Sequence, residues 1–215
     1  MSQPRGTVVL LGDSIFDNAA YTGGGPHVAA QLQDALPDGW RAVLAAVDGA
    51  VTASVPAQLR SVPRDATHLV VSAGGNDALG QVGILDEKAS SSAQVLGRLA
   101  NLAEGFERGY REMLGAVLGL GLPTTLCTIY NGNLGDPLTQ RLAQTGLIVF
   151  NDAILRAAFD HGLPVIDLRA VCCDPADYAN PIEPSSIGGE KIARAIARVA
   201  AEHDFGRGRT EVYLG

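Results

Sequence analysis

Short apolar runs alternate with amphipathic stretches along the chain, and this alternation predicts the secondary structure. Five runs have the length and unbroken apolar character of strands that are buried on both faces of a sheet. They are residues 7–11, 42–47, 67–73, 124–130 and 164–168. Apolar residues at helical spacing lie between or after these runs. They predict helices at residues 28–36, 55–59, 93–120, 138–159 and 188–201.

A strand that alternates with helical segments five times is typical of a parallel sheet covered by helices on both faces. A chain of 215 residues is long enough for one well-packed core and does not need a second. We therefore predict one three-layer α/β/α domain over residues 1–215, with a five-stranded parallel sheet. Only residues 22–26 and 80–92 are predicted to be long loops.

Small and polar residues come after each predicted strand at its carboxyl end, which is the edge where ligands bind in open α/β sheets. We expect all of these segments to face one crevice. In chain order they are Gly12-Asp13-Ser14, Asp48-Gly49-Ala50, Gly74-Gly75-Asn76-Asp77, Asn131-Gly132-Asn133 and residues 180–185.

Ser14 lies where the first predicted strand ends. Backbone N–H groups at such a turn are unpaired and can bind a developing oxyanion, so a serine there is a candidate nucleophile. A serine in this position can also cap a helix, and Ser14 alone does not distinguish the two roles.

Three of the segments together resemble, in order, three blocks of the SGNH (GDSL-type) hydrolase family. They are Gly12-Asp13-Ser14, Gly49 and Gly74-Gly75-Asn76-Asp77, and the resemblance continues through residues 188–193. It implies a flavodoxin-like sheet and hydrolysis of small carboxylic esters or acyl groups, with Ser14 as the nucleophile. It also implies an oxyanion hole built from the backbone N–H groups of Ser14 and Gly49 and the side-chain amide of Asn76.

The fourth block of that family, Asp-x-x-His-Pro, aligns with Asn180-Pro181-Ile182-Glu183-Pro184. Glu183 therefore stands where the family has its histidine base, and Asn180 stands where it has the orienting acid. We predict Glu183 as an atypical general base, because burial can raise the pKa of a glutamate into a useful range. We predict that Asn180 holds its carboxylate by a hydrogen bond, which avoids two neighbouring negative charges. A purely structural role of Glu183 near the last helix stays open.

The four histidines of the chain offer one further candidate base. His68 and His161 lie at the amino ends of the third and fifth predicted strands and therefore belong to the wrong edge of the sheet. His203 lies at the far end of the last predicted helix. Only His27 begins on the same side as Ser14, where it is an alternative base or a substrate contact.

Further polar residues near the crevice are predicted to bind substrate. They are Asp13, Asp77, Tyr130, Asn131 and His27. Aromatic residues make up 5% of the chain, which argues against an extended stacking surface for polysaccharides. We expect a small ester or an acetylated molecule as the substrate.

Charge and composition exclude several classes of partner. A net charge of −7 argues against nucleic acids and anionic membranes, both of which need clustered Lys and Arg. No apolar run approaches the roughly 18 residues of a membrane span, and the first is too short for a signal peptide. The three cysteines, Cys127, Cys172 and Cys173, form neither a disulfide framework nor a metal motif. We therefore expect a cytoplasmic protein without a cofactor, and the sequence does not indicate its oligomeric state.

Three alternatives to a serine hydrolase remain. The first is a binding protein for acyl groups or carbohydrates that retains the fold without turnover. The second is metal-dependent hydrolysis, although the spacing of the nearby acids forms no ligand motif. These acids are Asp13, Asp17, Asp48, Asp77 and Glu183. The third is a flavin or nucleotide site at residues 23–25, which lack the spacing of a dinucleotide-binding motif.

Overall fold

The computed structural model describes residues 6–215 and contains one parallel sheet. Its strands are β1 (Gly6–Gly12), β2 (Trp40–Leu44), β3 (His68–Ser72), β4 (Thr124–Cys127), β5 (Val165–Ile166) and β6 (Val212–Tyr213). They lie in the order β2-β1-β3-β4-β5-β6, and every neighbouring pair is parallel. The predicted α/β fold with a parallel sheet is therefore confirmed. The predicted number of strands is one too few, because β6 contributes only two residues.

Seven helices connect or flank these strands. They are α1 (Val28–Ala35), α2 (Val55–Gln58), α3 (Gly75–Leu79), α4 (Ser92–Leu118), α5 (Pro137–His161), α6 (Leu168–Val171) and α7 (Ser186–Glu202). The two short helices α3 and α6 lie where no helix was predicted. A 3₁₀ turn at Val82–Asp86 occupies much of the predicted loop 80–92. None of the helices within residues 6–215 is both long enough and apolar enough to cross a bilayer.

The sheet is buried on both faces, which explains its continuous apolar strands. Val8 and Leu10 of β1 point to the side covered by α1 and α7, while Val9 and Leu11 point to the side covered by α4 and α5. All four side chains are fully buried. Successive side chains of a strand point to opposite faces, so a strand between two helical layers needs apolar residues at every position.

The ends of the long helices are set by local sequence. Asp136 caps α5 by accepting a hydrogen bond from the backbone of Thr139, and Gly162 ends that helix in a left-handed conformation. Ser185 caps α7 in the same way as Asp136 caps α5. The cap residue Ser185 comes two residues after Glu183. The start of α7 therefore fixes one end of the segment that carries Glu183.

Candidate active site

The turn after β1 brings Ser14 to the carboxyl edge of the sheet. Gly12 has a φ of +129°, and a Cβ atom at this position would lie 1.7 Å from the carbonyl oxygen of Ser72 on β3. Only glycine can pass so close to a neighbouring strand. The next residue, Asp13, donates its backbone N–H to that same carbonyl at 3.2 Å. Ser14 comes directly after it and is buried.

The Ser14 hydroxyl contacts the carboxylate of Glu183, which is 169 residues away in the chain. Ser14 Oγ donates a hydrogen bond to Glu183 Oε1 at 3.1 Å, and only 6% of the Glu183 residue surface is exposed. The second oxygen, Oε2, is buried and has no hydrogen-bond partner within residues 6–215. The carboxylate therefore has one free acceptor beside the serine it contacts.

Asn180 shapes the loop that carries Glu183, but it does not hold the carboxylate. Its Oδ1 accepts the backbone N–H groups of Ile182 at 3.0 Å and of Glu183 at 2.9 Å. An asparagine side chain that bonds backbone two or three residues ahead forms a tight turn. The hydrogen bond expected between Asn180 and the Glu183 carboxylate is replaced by this turn.

Two further contacts fix the Glu183 loop against the rest of the molecule. Asn18 Nδ2 donates to the carbonyl of Pro184 at 3.2 Å, and Asn18 Oδ1 accepts the backbone N–H of Val28 at 2.9 Å. The hydroxyl of Tyr130 donates to the carbonyl of Ile182 at 2.5 Å. Glu183 is therefore anchored through both of its neighbours. Sequence analysis did not select Asn18, and it expected Tyr130 only as a substrate contact.

Gly12, two residues before Ser14, is held by the buried side-chain amide of Gln58. Gln58 Oε1 accepts the N–H of Gly12 at 2.8 Å, and Gln58 Nε2 donates to the Gly12 carbonyl at 2.7 Å. Strand β2 pairs with β1 only as far as Leu10, opposite Leu44, so Gln58 supplies hydrogen bonds that β2 does not reach. Nothing in the sequence near Gln58 indicates this contact, since the two residues are 46 positions apart.

Each of the three predicted oxyanion donors has an N–H that donates to no group within residues 6–215. Asn76 Nδ2 donates to the carbonyl of Ala50 at 2.9 Å, which leaves its second amide hydrogen free. Gly49 has a φ of +75°, a left-handed conformation that favours glycine. Within residues 6–215, the backbone N–H groups of Ser14 and Gly49 donate to no other group. Ser14 and Asn76 line the main cleft, while Gly49 lines a neighbouring depression.

The acids beside Ser14 lie in an environment that favours their neutral forms. Burial raises the pKa of Asp13 to about 7, and the nearby charges of Glu183 and Asp77 act in the same direction. Burial also raises the pKa of Glu183; its hydrogen bond from Ser14 opposes this shift, and the charge of Asp48 adds to it. Neither Asp13 nor Glu183 forms an ion pair with any residue in the described part of the chain.

The other predicted substrate contacts divide into two groups. Asn131 lines the cleft together with Asp13 and Tyr130, while its carbonyl accepts a hydrogen bond from Gln140 at 3.0 Å. Asp77 does not line the cleft, because both of its carboxylate oxygens bind Thr52, at 2.9 Å and 2.7 Å. His27 does not line it either; it lies just before α1, and its Nδ1 is buried without a hydrogen bond within residues 6–215.

The other three histidines lie at the amino edge of the sheet, as their positions in the sequence indicate. His68 begins β3, and His161 ends α5 shortly before β5. His203 comes after α7, and its Nδ1 lies 3.1 Å from the carboxylate of Glu211, just before β6. None of the three is placed to take a proton from Ser14.

The described residues do not bring the acids of the metal alternative together as a ligand set. The single cluster of three potential ligands within residues 6–215 consists of Cys173, Asp174 and Asp177. The ammonium of Lys191 lies 2.9 Å from Asp174 and 2.7 Å from Asp177. The ammonium of Lys191 already supplies a positive charge to these carboxylates, which disfavours the binding of a metal cation there.

The cleft that contains Ser14 has a volume of about 320 Å³. Its polar end is formed by Asp13, Ser14, Asn76 and Glu183. Beyond this end, apolar side chains from α3 and its following turn, from α4 and from α5 form the walls. The Ser14 hydroxyl, the carboxylate that it contacts and the Asn76 side chain therefore lie at one end of an apolar space.

Comparisons with known proteins show the family and the fold of the chain. A sequence model described as the GDSL-like Lipase/Acylhydrolase family matches residues 10–188. No curated protein sequence matches the chain. Three solved structures share the fold at low identity. An extracellular lipase from Streptomyces rimosus has a TM-score of 0.66 and 19% identity, and the match covers 91% of this chain and 100% of that one.

The other two matches are similar in extent. A phospholipase A1 from Streptomyces albidoflavus NA297 has a TM-score of 0.65 and 16% identity, with coverage of 91% and 99%. An acetyl xylan esterase from Geobacillus stearothermophilus has a TM-score of 0.62 and 20% identity, with coverage of 94% and 97%. At such identities, these structures support the fold and carry no residue roles.

Proposed function

Because this chain belongs to the GDSL-like lipase/acylhydrolase family, we propose that it hydrolyses esters or acyl groups through an acyl-enzyme on Ser14. Glu183 is the general base in this proposal. The observation that carries it is the buried hydrogen bond of 3.1 Å from Ser14 Oγ to Glu183 Oε1. A serine hydroxyl is a poor nucleophile without an adjacent base, and Glu183 is the group in contact with it.

In the first half of the reaction, Ser14 Oγ attacks the carbonyl carbon of the substrate while Glu183 takes its proton. The carbonyl oxygen becomes negatively charged and accepts hydrogen bonds from the backbone N–H groups of Ser14 and Gly49 and from Asn76. Glu183 then gives the proton to the leaving oxygen, and the bond between the acyl carbon and that oxygen breaks. The acyl group remains on Ser14.

In the second half, a water molecule takes the place of the leaving group. Glu183 accepts a proton from this water, which attacks the acyl carbon of the ester on Ser14. The second intermediate uses the same oxyanion donors, and the proton returns to Ser14 as its Oγ leaves. The products are a carboxylic acid and the free enzyme. The free Oε2 of Glu183 is an available acceptor for that water.

The raised pKa of Glu183 suits this role. A carboxylate at its ordinary pKa is a weak base, and burial makes it a stronger one at neutral pH. The base must be ionised to accept a proton. Activity is therefore expected to rise with pH through the raised pKa of Glu183.

The similar structures support a small-molecule ester as substrate without choosing one. One is named a lipase, one a phospholipase A1 and one an acetyl xylan esterase. We propose an ester or acylated molecule as the substrate. The expected cytoplasmic location stays a prediction, and the lipase from Streptomyces rimosus is named as extracellular.

The test is hydrolysis of p-nitrophenyl butyrate across pH 4–9, with EDTA present throughout, by wild type, Ser14→Ala and Glu183→Gln. The matched control is Glu190→Gln, because Glu190 lies on the exposed side of α7 and pairs only with Arg194. Loss of turnover in the first two variants, with the control unchanged, supports the serine–glutamate pair. Activity of Glu183→Gln equal to that of wild type overturns the role of Glu183 as base.

One observation favours a second candidate function. Among the described residues, no histidine contacts Ser14, and no side chain orients the carboxylate of Glu183. If Glu183 does not act as a base, the chain would bind an acylated molecule without hydrolysing it. A fluorophosphonate probe distinguishes the two, because a hydrolase is labelled at Ser14 and a binding protein has no need of a reactive serine.

A further inference from the structure

The space behind Ser14 is far more apolar than an acetyl group requires. Its walls carry Leu79 and Leu85 from the segment after β3, Leu102 of α4, and Leu147 and Phe150 of α5. These elements meet on the face of the sheet that holds the α4–α5 layer. The cleft therefore runs from the reacting atoms into the space between two long helices.

The lining chemistry selects one kind of occupant. A sugar or peptide would need hydrogen-bonding partners along the cleft, because burying an unpaired polar group costs free energy. Beyond the reacting end, the lining side chains of α4 and α5 are apolar except Thr139, whose hydroxyl is already bound to Asp136 at 2.8 Å. A hydrocarbon chain loses nothing in such a site and gains from leaving water.

The volume leaves room for a chain much longer than an acetyl group. One water needs about 10–15 Å³ of such a volume, so a cleft of about 320 Å³ has room for an acyl chain of on the order of ten carbons. An acetyl group would leave most of it empty. This argues against the small acyl group expected from the sequence.

We propose that this cleft is an acyl-chain site that takes an unbranched acyl group of about eight to twelve carbons, with its carbonyl at Ser14. The inference rests on the proposed function, since it assigns the cleft to the acyl half of the same ester. The chain extends away from Ser14 between α4 and α5. Its far end is limited by the residues of α5 that face α4.

Gly146 is the position on α5 that keeps this space open. It lies inside the helix and lines the cleft, and a Cβ added there would have no described atom within 4 Å. Glycine in a helix interior destabilises the helix relative to alanine. A larger side chain at Gly146 would therefore favour the helix while occupying part of the cleft.

The experiment measures kcat/KM on p-nitrophenyl esters from acetate to palmitate, below their aggregation concentrations, for wild type and Gly146→Leu. Gly115→Leu is the matched control, because Gly115 is an exposed glycine inside α4 and also has open space around it. Each fully buried methylene is worth about fourfold, so burial of only three or four of them is expected to make octanoate or decanoate exceed acetate by at least about 10²-fold.

We expect Gly146→Leu to reduce kcat/KM for decanoate at least about tenfold and to leave acetate and butyrate unchanged. The optimum then moves to shorter chains, while Gly115→Leu keeps the wild-type profile. A thermal melt of each variant shows that it is folded. A wild type that prefers acetate, or a Gly146→Leu variant that loses activity equally on all chains, overturns the proposal.

A binding measurement separates this inference from the proposed function. If no wild-type ester hydrolysis exceeds that of Ser14→Ala, the hydrolase function fails, and binding of decanoic acid is measured by calorimetry instead. Binding that weakens in Gly146→Leu and persists in Gly115→Leu supports the acyl site in a protein without turnover. Absence of binding to wild type overturns it.

Discussion

Two acidic residues at the carboxyl edge of the sheet and two at the amino edge have opposite surroundings. At the carboxyl edge, Asp13 and Glu183 are buried without a cationic partner among the described residues, and the pKa of each is raised. At the amino edge, Asp65 pairs with Arg41 at 2.7 Å, and Glu211 contacts both Arg209 and His203. There the pKa of each acid is lowered. These acids are thus buried without a cation at one edge and paired with cations at the other.

The difference shows that burial and the presence of a cationic neighbour, more than the residue type, set the pKa of an acid. Desolvation dominates at Asp13 and Glu183, whereas Asp167, at the carboxyl end of β5, lies 2.6 Å from Arg169 and has a lowered pKa. The amino edge is more exposed, and arginine side chains reach the acids. Substitutions at five positions test this contrast between the two edges.

The largest effect is expected from Glu183→Gln. The amide keeps the shape and can still contact Ser14, but it cannot accept the proton. We expect kcat to fall by about 10²–10⁴-fold with a smaller change in KM, because general-base catalysis is worth about that much. Steady-state kinetics on a decanoate ester measure it. A loss confined to KM would place Glu183 in binding alone.

The second effect concerns Asp13 and stability. Its pKa is about 7 in the folded protein and about 3.8 when unfolded, so the folded state binds more protons between these values. The stabilisation is complete below the unfolded pKa and is lost as pH rises through the folded one. A shift of this size corresponds to on the order of 4 kcal/mol.

Asp13→Asn removes this dependence. Urea melts of wild type and Asp13→Asn from pH 4 to pH 8 are expected to diverge, with wild type losing stability relative to the variant as pH rises. Parallel curves across this range would mean that Asp13 is ionised throughout. The same melts provide the reference for any activity change in this variant.

The third effect compares two glutamines that bind backbone in the same way. Gln58 holds Gly12 at the carboxyl edge and is buried, whereas Gln33 holds the Trp40 carbonyl and the Ala42 N–H at the amino edge and is exposed. Gln58→Leu leaves the buried N–H of Gly12 unpaired, while the Gly12 carbonyl keeps the hydrogen bond from the Val47 N–H at 3.0 Å, so we expect a loss of about 2 kcal/mol. Water replaces the amide in Gln33→Leu, and its cost is expected to stay below about 1 kcal/mol.

Activity adds a second readout to the glutamine pair. At temperatures where both variants are folded, Gln58→Leu is expected to lower kcat on the preferred ester, because Ser14 lies two residues after Gly12. Gln33→Leu is expected to keep the wild-type kcat. Equal kcat values in the two variants would show that Gln58 stabilises the fold without positioning the nucleophile.

The smallest effect is expected from Asp65→Asn at the amino edge. The pKa of Asp65 is lowered by its hydrogen bonds and charge pairing with Arg41. Its contribution to the stability of the folded protein is therefore present above the ordinary pKa of aspartate. It is lost as pH falls through the lowered folded value. Wild type and variant are therefore expected to converge in thermal melts at acid pH, with ester hydrolysis unchanged at neutral pH.

Much of the fold can be predicted from the sequence because its signals are local. The apolar runs that became β1 and β3 need no partner to be recognised, since a strand buried on both faces is apolar throughout. β6 was missed because two residues, Val212 and Tyr213, are too few to establish a pattern. The short helix α3 was missed because a glycine-rich start is typical of a loop.

The site was predictable where its residues are fixed by motif and unpredictable where they depend on loop conformation. Ser14 and Glu183 were selected, and their side chains are in contact. Asn180 was assigned to the carboxylate, but its side chain bonds the backbone of its own loop, an alternative that sequence does not rank. Asn18 and Gln58 were missed because their partners lie far away in the chain.

The distance of 169 residues between Ser14 and Glu183 has a consequence for biosynthesis. At about 5–20 residues per second, a ribosome needs roughly 8–34 s to pass from one codon to the other. Throughout this interval the nascent chain carries the serine without its proton acceptor. Any translation product that stops before Glu183 is inert for the same reason, so hydrolytic competence in the proposed mechanism arises late, after the first five of the six strands have been synthesised.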